Sequence, residues 1–563
     1  MRNKIFFRFF FIFIFSIFFN IFCEITVETF SDNSLETTKE EPIILPDLKG
    51  ILLINDENKQ INLDEKEIRD IKAYDIKIPG SFYRLKKGLI SYLNRPITKE
   101  SILEIKKQIM MHYLVNRYPV IAVHIPQQDV TNGMVKYVVV EGKLGEVITE
   151  GNKYFSSKRL KSYIKLRKGD VIDETVLVQD LHFLNSNPFR HVDLVYTSGE
   201  KKGTTDIKLL VNDRRPYRIY TGFENSGLET TKRNRWYAGI NLGNVWGIDH
   251  QFSYQYTTSF DFETFQSHTA QYIIPMPFFN HILTIFGGYS RVDVPMDKVL
   301  FGAKSKGQSG QGSFRYNIPL WSMIYLLQGA TFGFDYKTTN NTMEYTETSP
   351  IFGGEINLTQ LVFGYNFTLE YGFYKTSFDA DIFFSPGKWL SHQTDTDYRV
   401  FRYLADNRYI YFKGKWSSLF TLPEDFTISY YITGQASSCN LLPSEMLGVG
   451  GYNSVRGYEE RIINGDHGLI SSLEIRSCPI NWNKSRKKEG LQFLLFSDYG
   501  MIFLHTPYPG ERKWDYIFSA GPGFRYVIGP YFAASLDWGL KLHQSSRFGP
   551  SHGKVHFNVL LAF

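Results

Sequence analysis

The chain has 563 residues, room for several domains or for one large barrel with accessories, so core size sets no limit on the fold. Its 47 Phe and 36 Tyr bring aromatics to 16% while mean hydropathy stays at -0.24, the balance expected of membrane-barrel strands with one oily and one wet face. A net charge of +6 from dispersed Lys and Arg does not call for nucleic acid, and the three cysteines, at 23, 439 and 478, fit no metal spacing and no CxxC pattern.

The first residues, MRNKIFFRFFFIFIFSIFFNIFC, place Arg2, Lys4 and Arg8 before an apolar run that starts at Phe9. The run is about a dozen residues, short of the roughly 20 a spanning helix needs, so residues 1–23 read as a secretory signal peptide. Ile21, Phe22 and Cys23 make a poor cleavage site, which leaves an uncleaved anchor or a lipidated Cys23 as the alternative. Residues 24–46 are acidic and polar with weak periodicity and read as an exported linker. Past the leader no apolar run is long enough for a transmembrane helix, so a membrane location would require a barrel.

Residues 47–143 read as helix, helix, strand, strand. SFYRLKKGLISYL is one helix; TKESILEIKKQIMMHYLVNRY is the second, capped by Thr98, with Ile102, Ile105, Ile109 and Tyr113 at steps of three and four. VIAVHI and MVKYVVVEG are strands around the turn-rich PQQDVTNG. Residues 47–80 exceed a simple first strand and leave room for an extra hairpin. From 144 to 212 the order repeats: LGEVITEG is a strand, SSKRLKSYI and ETVLVQDLHFLNS are helices, and FRHVDLVYTSG with TTDIKLLVND forms a hairpin. Two βααββ units therefore stand in tandem.

After residue 213 short strands with aromatic ends alternate with Gly, Asn, Asp and Pro clusters. The terminal KVHFNVLLAF puts Val555, Phe557, Val559, Leu561 and Phe563 on one face and Lys554, His556 and Asn558 on the other. At about 22 residues per strand and connection, the remaining 350 or so residues predict about 16 antiparallel strands in a closed transmembrane barrel. A soluble two-sheet domain is the alternative. A hairpin in this region puts Cys439 and Cys478 at opposite ends of adjacent strands, which disfavours a disulfide.

The segment HIPQQDVTNGMVKYVVVEG resembles the signature of the first POTRA domain in two-partner secretion transporters, the TpsB family of haemolysin and filamentous-haemagglutinin exporters. The matching residues are Pro126, Gln128, Asp129, Gly133, Val140, Glu141 and Gly142. GGYNSVRGYEE resembles the family's VRGY/F element in a long sixth extracellular loop, here 444–468, and FSDYG resembles its F-x-D-x-G strand motif. The resemblance implies two POTRA domains, 47–143 and 144–212, ahead of an outer-membrane barrel at 213–563.

It further implies that Val455, Arg456, Gly457 and Tyr458 fold back into the lumen to meet Phe496, Asp498 and Gly500. Strand parity agrees, because Asp498 shares a face with Gln492 opposite Phe493, Leu495 and Tyr499, and a bare carboxylate facing lipid would be expensive. The implied function is capture of a large secreted TpsA-like client by β-augmentation on the POTRA edges, then passage through the barrel to the surface. Implied partners are that client, outer-membrane lipid and, for a monomeric barrel ending in Phe563 as its assembly signal, the outer-membrane assembly machinery. The family's N-terminal plug helix has only a weak candidate within 24–46.

GAKSKGQS falls one residue short of a phosphate-binding loop, because Gln308 occupies the lysine position, and reads as a barrel loop. The basic run Lys484, Arg486, Lys487 and Lys488 reads as a solvated turn. No G-x-S-x-G, H-E-x-x-H or CxxC pattern supports an enzyme, a metal site or a cofactor. Two alternatives stay in play: an outer-membrane insertase similar to BamA, which usually carries more POTRA units, and a passive porin or adhesin barrel, which would leave the tandem units unexplained.

Overall fold

The computed structural model describes residues 43–56, 69–201, 203–295, 304–320, 325–346, 349–481, 489–543 and 552–563. The signal peptide, nearly all of the 24–46 linker and the basic run at 484–488 lie outside the described residues. Two compact units result. One holds the described residues up to Lys77 with Ser81–Ile109 and His124–Val138; the other holds Ile78–Gly80, Met110–Val123 and Val139–Phe563.

The first sheet contains β1 (Gly50–Ile54), β2 (Ile71–Tyr74), β3 (Ile121–His124) and β4 (Met134–Glu141), in the order β2-β1-β4-β3. β1 runs parallel to both β2 and β4, so the predicted extra hairpin within 47–80 is not formed between these strands. The reason is that β1 is buried along its whole length: Ile51, Leu52 and Leu53 have no exposure, and a strand flanked on both edges keeps its apolar run dry. Two helices follow, α1 (Phe82–Leu89) and α2 (Lys99–Val115). Thr98 Oγ1 accepts from Ser101 N at 3.3 Å to cap α2, whose Ile105, Ile109 and Tyr113 are buried at helical spacing.

The second βααββ unit is built from β5 (Lys143–Glu150), α3 (Ser157–Lys161), α4 (Glu174–Leu184), β6 (Arg190–Ser198) and β7 (Thr204–Asp213). Its sheet order is β5-β7-β6, parallel then antiparallel, over a core that includes Leu160, Leu177, Leu184, Val192 and Leu209. β5 and β6 are left as its edges.

The barrel begins with β8 (Tyr217–Glu224), β9 (Arg235–Val245), β10 (His250–Ser259) and β11 (Phe265–Met276). It continues through β12 (His281–Pro295), β13 (Lys304–Pro319), β14 (Leu326–Thr346) and β15 (Ser349–Tyr371). β16 (Tyr374–Pro386) leads through α5 (Asp395–Phe401) to β17 (Arg408–Thr421) and β18 (Thr427–Ser437). A long connection then carries the two-stranded pair β19 (Leu447–Val449) and β20 (Ile463–Gly465). The wall closes with β21 (His467–Arg476), β22 (Glu489–Phe503), β23 (Trp514–Ile528), β24 (Phe532–Lys541) and β25 (Gly553–Ala562).

Sixteen antiparallel strands form one closed ring, with β25 paired to β8, which bears out the sequence-based strand number. Closure leaves no free edge at membrane depth. Period-2 patterning sets the inside: on β22, Phe493 and Leu495 are exposed on the outer surface while Asp498 has 0% exposure. GAKSKGQS corrects one expectation. Lys304–Ser309 belong to β13 rather than a loop, with Lys306 registered against Asp293 on one side and Thr342 on the other, because the ladder extends unbroken through this Gly/Ser-rich stretch.

The second βααββ unit is fastened to the strand-connecting turns at one end of the barrel. Asp249, in the β9–β10 turn, receives both guanidinium arms of Arg190 at 2.7 and 2.8 Å, Asn187 Nδ2 at 2.7 Å and the hydroxyl of Tyr163. The Arg190 and Asp249 side chains are 1% and 2% exposed. Asp180 accepts from Asn280 Nδ2 at 2.9 Å in the next such turn, and its burial pushes its carboxyl pKa up.

Candidate functional site

The connection 438–466 folds into the lumen instead of standing outside it. Its apolar residues Leu447, Val449, Val455, Tyr458 and Ile463 pack with Ile470, Ile502 and Ile517 of the wall, so the hydrophobic effect favours the inward position. Glycines make the close approach possible. A Cβ on Gly500 would lie 2.3 Å from Val449 Cγ1, and one on Gly539 would lie 2.3 Å from the backbone nitrogen of Gly457. Gly457 itself has φ +91°, a conformation other residues rarely adopt.

Arg456 sits at the centre. Its Nε is 2.7 Å from Asp498 Oδ2 and its Nη2 is 2.9 Å from Asp498 Oδ1, a bidentate pair, while its own backbone N–H donates to the same carboxylate at 3.0 Å. Nη1 reaches Glu474 Oε1 at 2.6 Å, and Ser472 Oγ donates to Asp498 at 2.6 Å. The guanidinium carbon lies 3.6 Å from the Phe496 ring centroid, a cation–π contact. The Arg456 and Asp498 side chains are 5% and 0% exposed, so the pair is dry.

The flanking residues finish the arrangement. Tyr458 Oη donates to the carbonyls of Phe518 and His543 at 3.0 and 2.6 Å, and Gly457 N donates to His556 Nε2 at 3.0 Å. At the root of the loop Glu445 receives Lys337 Nζ at 2.8 Å and Tyr411 Oη at 2.8 Å. Asp466, fully buried, receives Arg402 at 2.6 and 2.7 Å together with the backbone N–H groups of Leu441 and His505. A cavity of about 940 Å³ remains between the loop and the wall, bordered by Arg315, Lys413, Lys415, Tyr431 and Arg461.

The other sequence-selected group is a turn rather than a pocket. Gln128 pairs with the backbone of Lys136 through both amide ends, at 2.7 and 3.0 Å, and Asp129 accepts from Thr131 N at 2.9 Å, which holds its carboxyl pKa down. Gly133 has φ +79°. Pro126 and Val140 are half-buried. Glu141 is also half-buried, and that burial pushes its carboxyl pKa up. A Cβ on Gly142 would lie 2.3 Å from Val120 Cγ1. Pro126, Gln128, Asp129 and Gly133 set the geometry of the β3–β4 connection, while Val140, Glu141 and Gly142 lie at the end of β4. Phe563 is 76% exposed and exchanges backbone hydrogen bonds with Ile219.

Sequence reasoning missed several members. Ser472 and Glu474 alternate with the outward Leu473 and Ile475, so the parity argument used for Asp498 would have found them. His556 lay on the polar face already read from the terminal strand, but Glu445, Asp466 and the Arg190–Asp249 pair carried no such signal, because each partner lies far off in the chain.

Residues 203–526 match the model of the haemolysin secretion/activation protein ShlB/FhaC/HecB family, and residues 78–142 match the ShlB-type POTRA domain. The chain belongs to this family. It is an outer-membrane protein of the two-partner secretion type, and its POTRA units face the periplasm. Among curated proteins it is 23% identical over 403 residues to the outer membrane transporter CdiB of Dickeya dadantii, covering 69% of this chain and 68% of that protein. It is 20% identical to the heme/hemopexin transporter protein HuxB of Haemophilus influenzae strain 86-028NP, covering 73% and 71%. In fold it is similar to the solved structure of CdiB from Escherichia coli, with a TM-score of 0.78 at 17% identity, covering 96% and 93% of the two chains. The β9–β10 and β11–β12 turns, fastened to the second unit, are thus periplasmic, and the 438–466 loop enters from the cell surface.

Proposed function

We propose that the chain carries a large, extended partner polypeptide from the periplasm through its barrel to the cell surface, and that the 438–466 loop is the gate. The observation that carries this reading is the dry, bidentate Arg456–Asp498 pair, which holds a lumen-filling loop in a barrel fitted with periplasmic capture units. Val455, Gly457, Tyr458, Phe496 and Gly500 act with the pair by packing, by backbone freedom and by the cation–π contact.

Residues 47–143 and 144–212 are the capture and alignment units in this proposal, after export directed by residues 1–23 and a linker at 24–46. The signature turn from Pro126 to Gly142 shapes the first unit. In the second, β6 offers an edge whose Val195 is 40% exposed, suited to an added client strand whose main-chain hydrogen bonds need no sharp sequence code. Folding of the cargo outside the cell supplies direction, and Phe563 serves assembly of the barrel. Co-expression with a candidate TpsA-like exported protein tests the reading. Secretion should depend on this chain, and Arg456→Ala should alter it in a correctly inserted barrel; normal secretion by that variant would make the gate irrelevant.

A further inference from the structure

The barrel closes on a short ladder. β25 and β8 are registered from Asn558↔Glu224 to Ala562↔Tyr220, five pairs, with the Phe563–Ile219 hydrogen bonds continuing the lower end, whereas β25 pairs with β24 over nine. Above those five pairs the main chain makes one long bond, from Asn225 N to the Phe557 carbonyl at 3.4 Å, and a side chain adds to it. Asn225 donates from Nδ2 to the Val555 carbonyl at 2.7 Å and accepts at Oδ1 from Phe557 N at 3.0 Å. The upper end of the seam thus depends in part on a side chain.

Glu459, three residues beyond Arg456 in the gate loop, lies across this end. Its Oε2 is 2.7 Å from Lys554 Nζ on β25, and its Oε1 is 3.0 Å from Arg233 Nη2 in the connection between β8 and β9. One carboxylate on the loop therefore pairs with a cation on each side of the seam. The Lys554 arm is the drier, at 12% exposure, while Arg233 is 49% exposed and is shared with Glu229 at 3.2 Å. The contact from Gly457 N to His556 Nε2 adds a second tie to β25 in the same stretch of loop.

We propose that Glu459 is a positioning residue that clasps the β25–β8 seam while the loop is seated, so that withdrawal of the loop loosens the seam at the same time. The inference rests on the reading of 438–466 as a movable gate. It adds that opening the lumen and relaxing the wall are one event, coupled through a carboxylate that bridges the last strand and the β8–β9 connection. A loosened seam lets the barrel widen at its weakest junction when an extended client passes.

Backbone hydrogen exchange on the full-length, membrane-inserted protein without cargo tests the clasp. With Glu459→Gln, amides at Tyr220–Glu224 and Phe557–Ala562 should exchange about three- to tenfold faster, the effect of losing partly exposed ion pairs, while amides at Gln271–Ile274 stay unchanged. The charge-swapped triple variant Glu459→Lys, Lys554→Glu, Arg233→Glu should restore protection, which a purely steric role would not. Arg233→Gln, the milder variant, should give a smaller rise confined to the seam. Unchanged seam exchange, an equal rise in the Gln271–Ile274 control, or failure of the swap to restore protection would each overturn the proposal. Because the measurement needs no transport, a loosened seam in Glu459→Gln together with normal secretion by Arg456→Ala would retire the gate reading and leave the clasp standing.

Discussion

Arg456→Ala is the sharpest perturbation of the gate. It deletes two bonds to Asp498, at 2.7 and 2.9 Å, and one to Glu474 at 2.6 Å, and it leaves a carboxylate with 0% exposure holding only Ser472 Oγ and the residue-456 backbone N–H. Breaking a buried pair by removing one partner costs about 3–5 kcal/mol, which shifts a seated-to-displaced equilibrium by about two to three and a half orders of magnitude. The apolar packing of Val449, Val455 and Ile463 persists, so the loop is released in part and not expelled. Arg456→Lys keeps the charge but loses the bidentate fork and should fall between. The assay is single-channel recording in planar bilayers, comparing the frequency of open events in the wild type, the two variants and Asp498→Asn. Open events should become frequent in Arg456→Ala, less so in Arg456→Lys. Equal open probability in Arg456→Ala and wild type, in barrels of unchanged heat-modifiability, would refute the idea that the pair holds the loop.

Other outcomes follow from the same geometry. Gly539→Ala places a Cβ against the backbone of Arg456 and Gly457 and should displace the loop tip at a cost of about 1–3 kcal/mol; raised bilayer conductance with an intact Arg456–Asp498 pair is the readout, and unchanged conductance would count against the tight fit. Arg190→Ala strands the buried Asp249 and should cost about 3–5 kcal/mol, releasing the second POTRA unit from the periplasmic turns; spin-label distances between α4 and the β9–β10 turn would broaden while barrel folding persists. Asp180 titrates in the opposite sense to a salt-bridged carboxylate. Its pKa is raised by burial, so the native state binds the proton more readily than the unfolded one, and stability falls as pH rises from the ordinary value of 3.8 through the raised native value. Urea unfolding of the POTRA helices, followed by circular dichroism, should show a midpoint that drops across that interval in wild type and stays flatter in Asp180→Asn.

Legibility in the sequence tracked the distance over which each signal acts. Ile105, Ile109 and Tyr113 on α2, or Phe493, Leu495 and Asp498 on β22, announce their faces by local period, since a helix or strand must bury one side whatever surrounds it. The same logic would have reached Ser472 and Glu474. It misassigned Lys304–Ser309, because Gly, Ser and Lys resemble a loop until two neighbouring strands supply hydrogen-bond partners. It allowed a hairpin in 47–80 where the strands run parallel, because parallel pairing is decided by the partner strand β4 some 80 residues on.

By itself, then, the sequence determined the class of the molecule: two βααββ units, a barrel of about 16 strands with oily outer faces, and two motifs, VRGY and FSDYG, whose resemblance brought them together before any coordinates did. The units and the strand number follow from local periodicity and short spacings, while the meeting of the two motifs was implied by the resemblance alone. Only the tertiary structure decided what those motifs touch. Glu474 and the cation–π contact of Phe496 join Arg456, His556 meets Gly457, Asp249 clamps Arg190, and Glu459 bridges Lys554 and Arg233. Each of these pairings depends on barrel closure, on loop insertion or on the docking of the second βααββ unit against the barrel turns, which bring together groups as far as 226 residues apart, as 459 and 233 are, and no local rule of propensity or spacing reports on them.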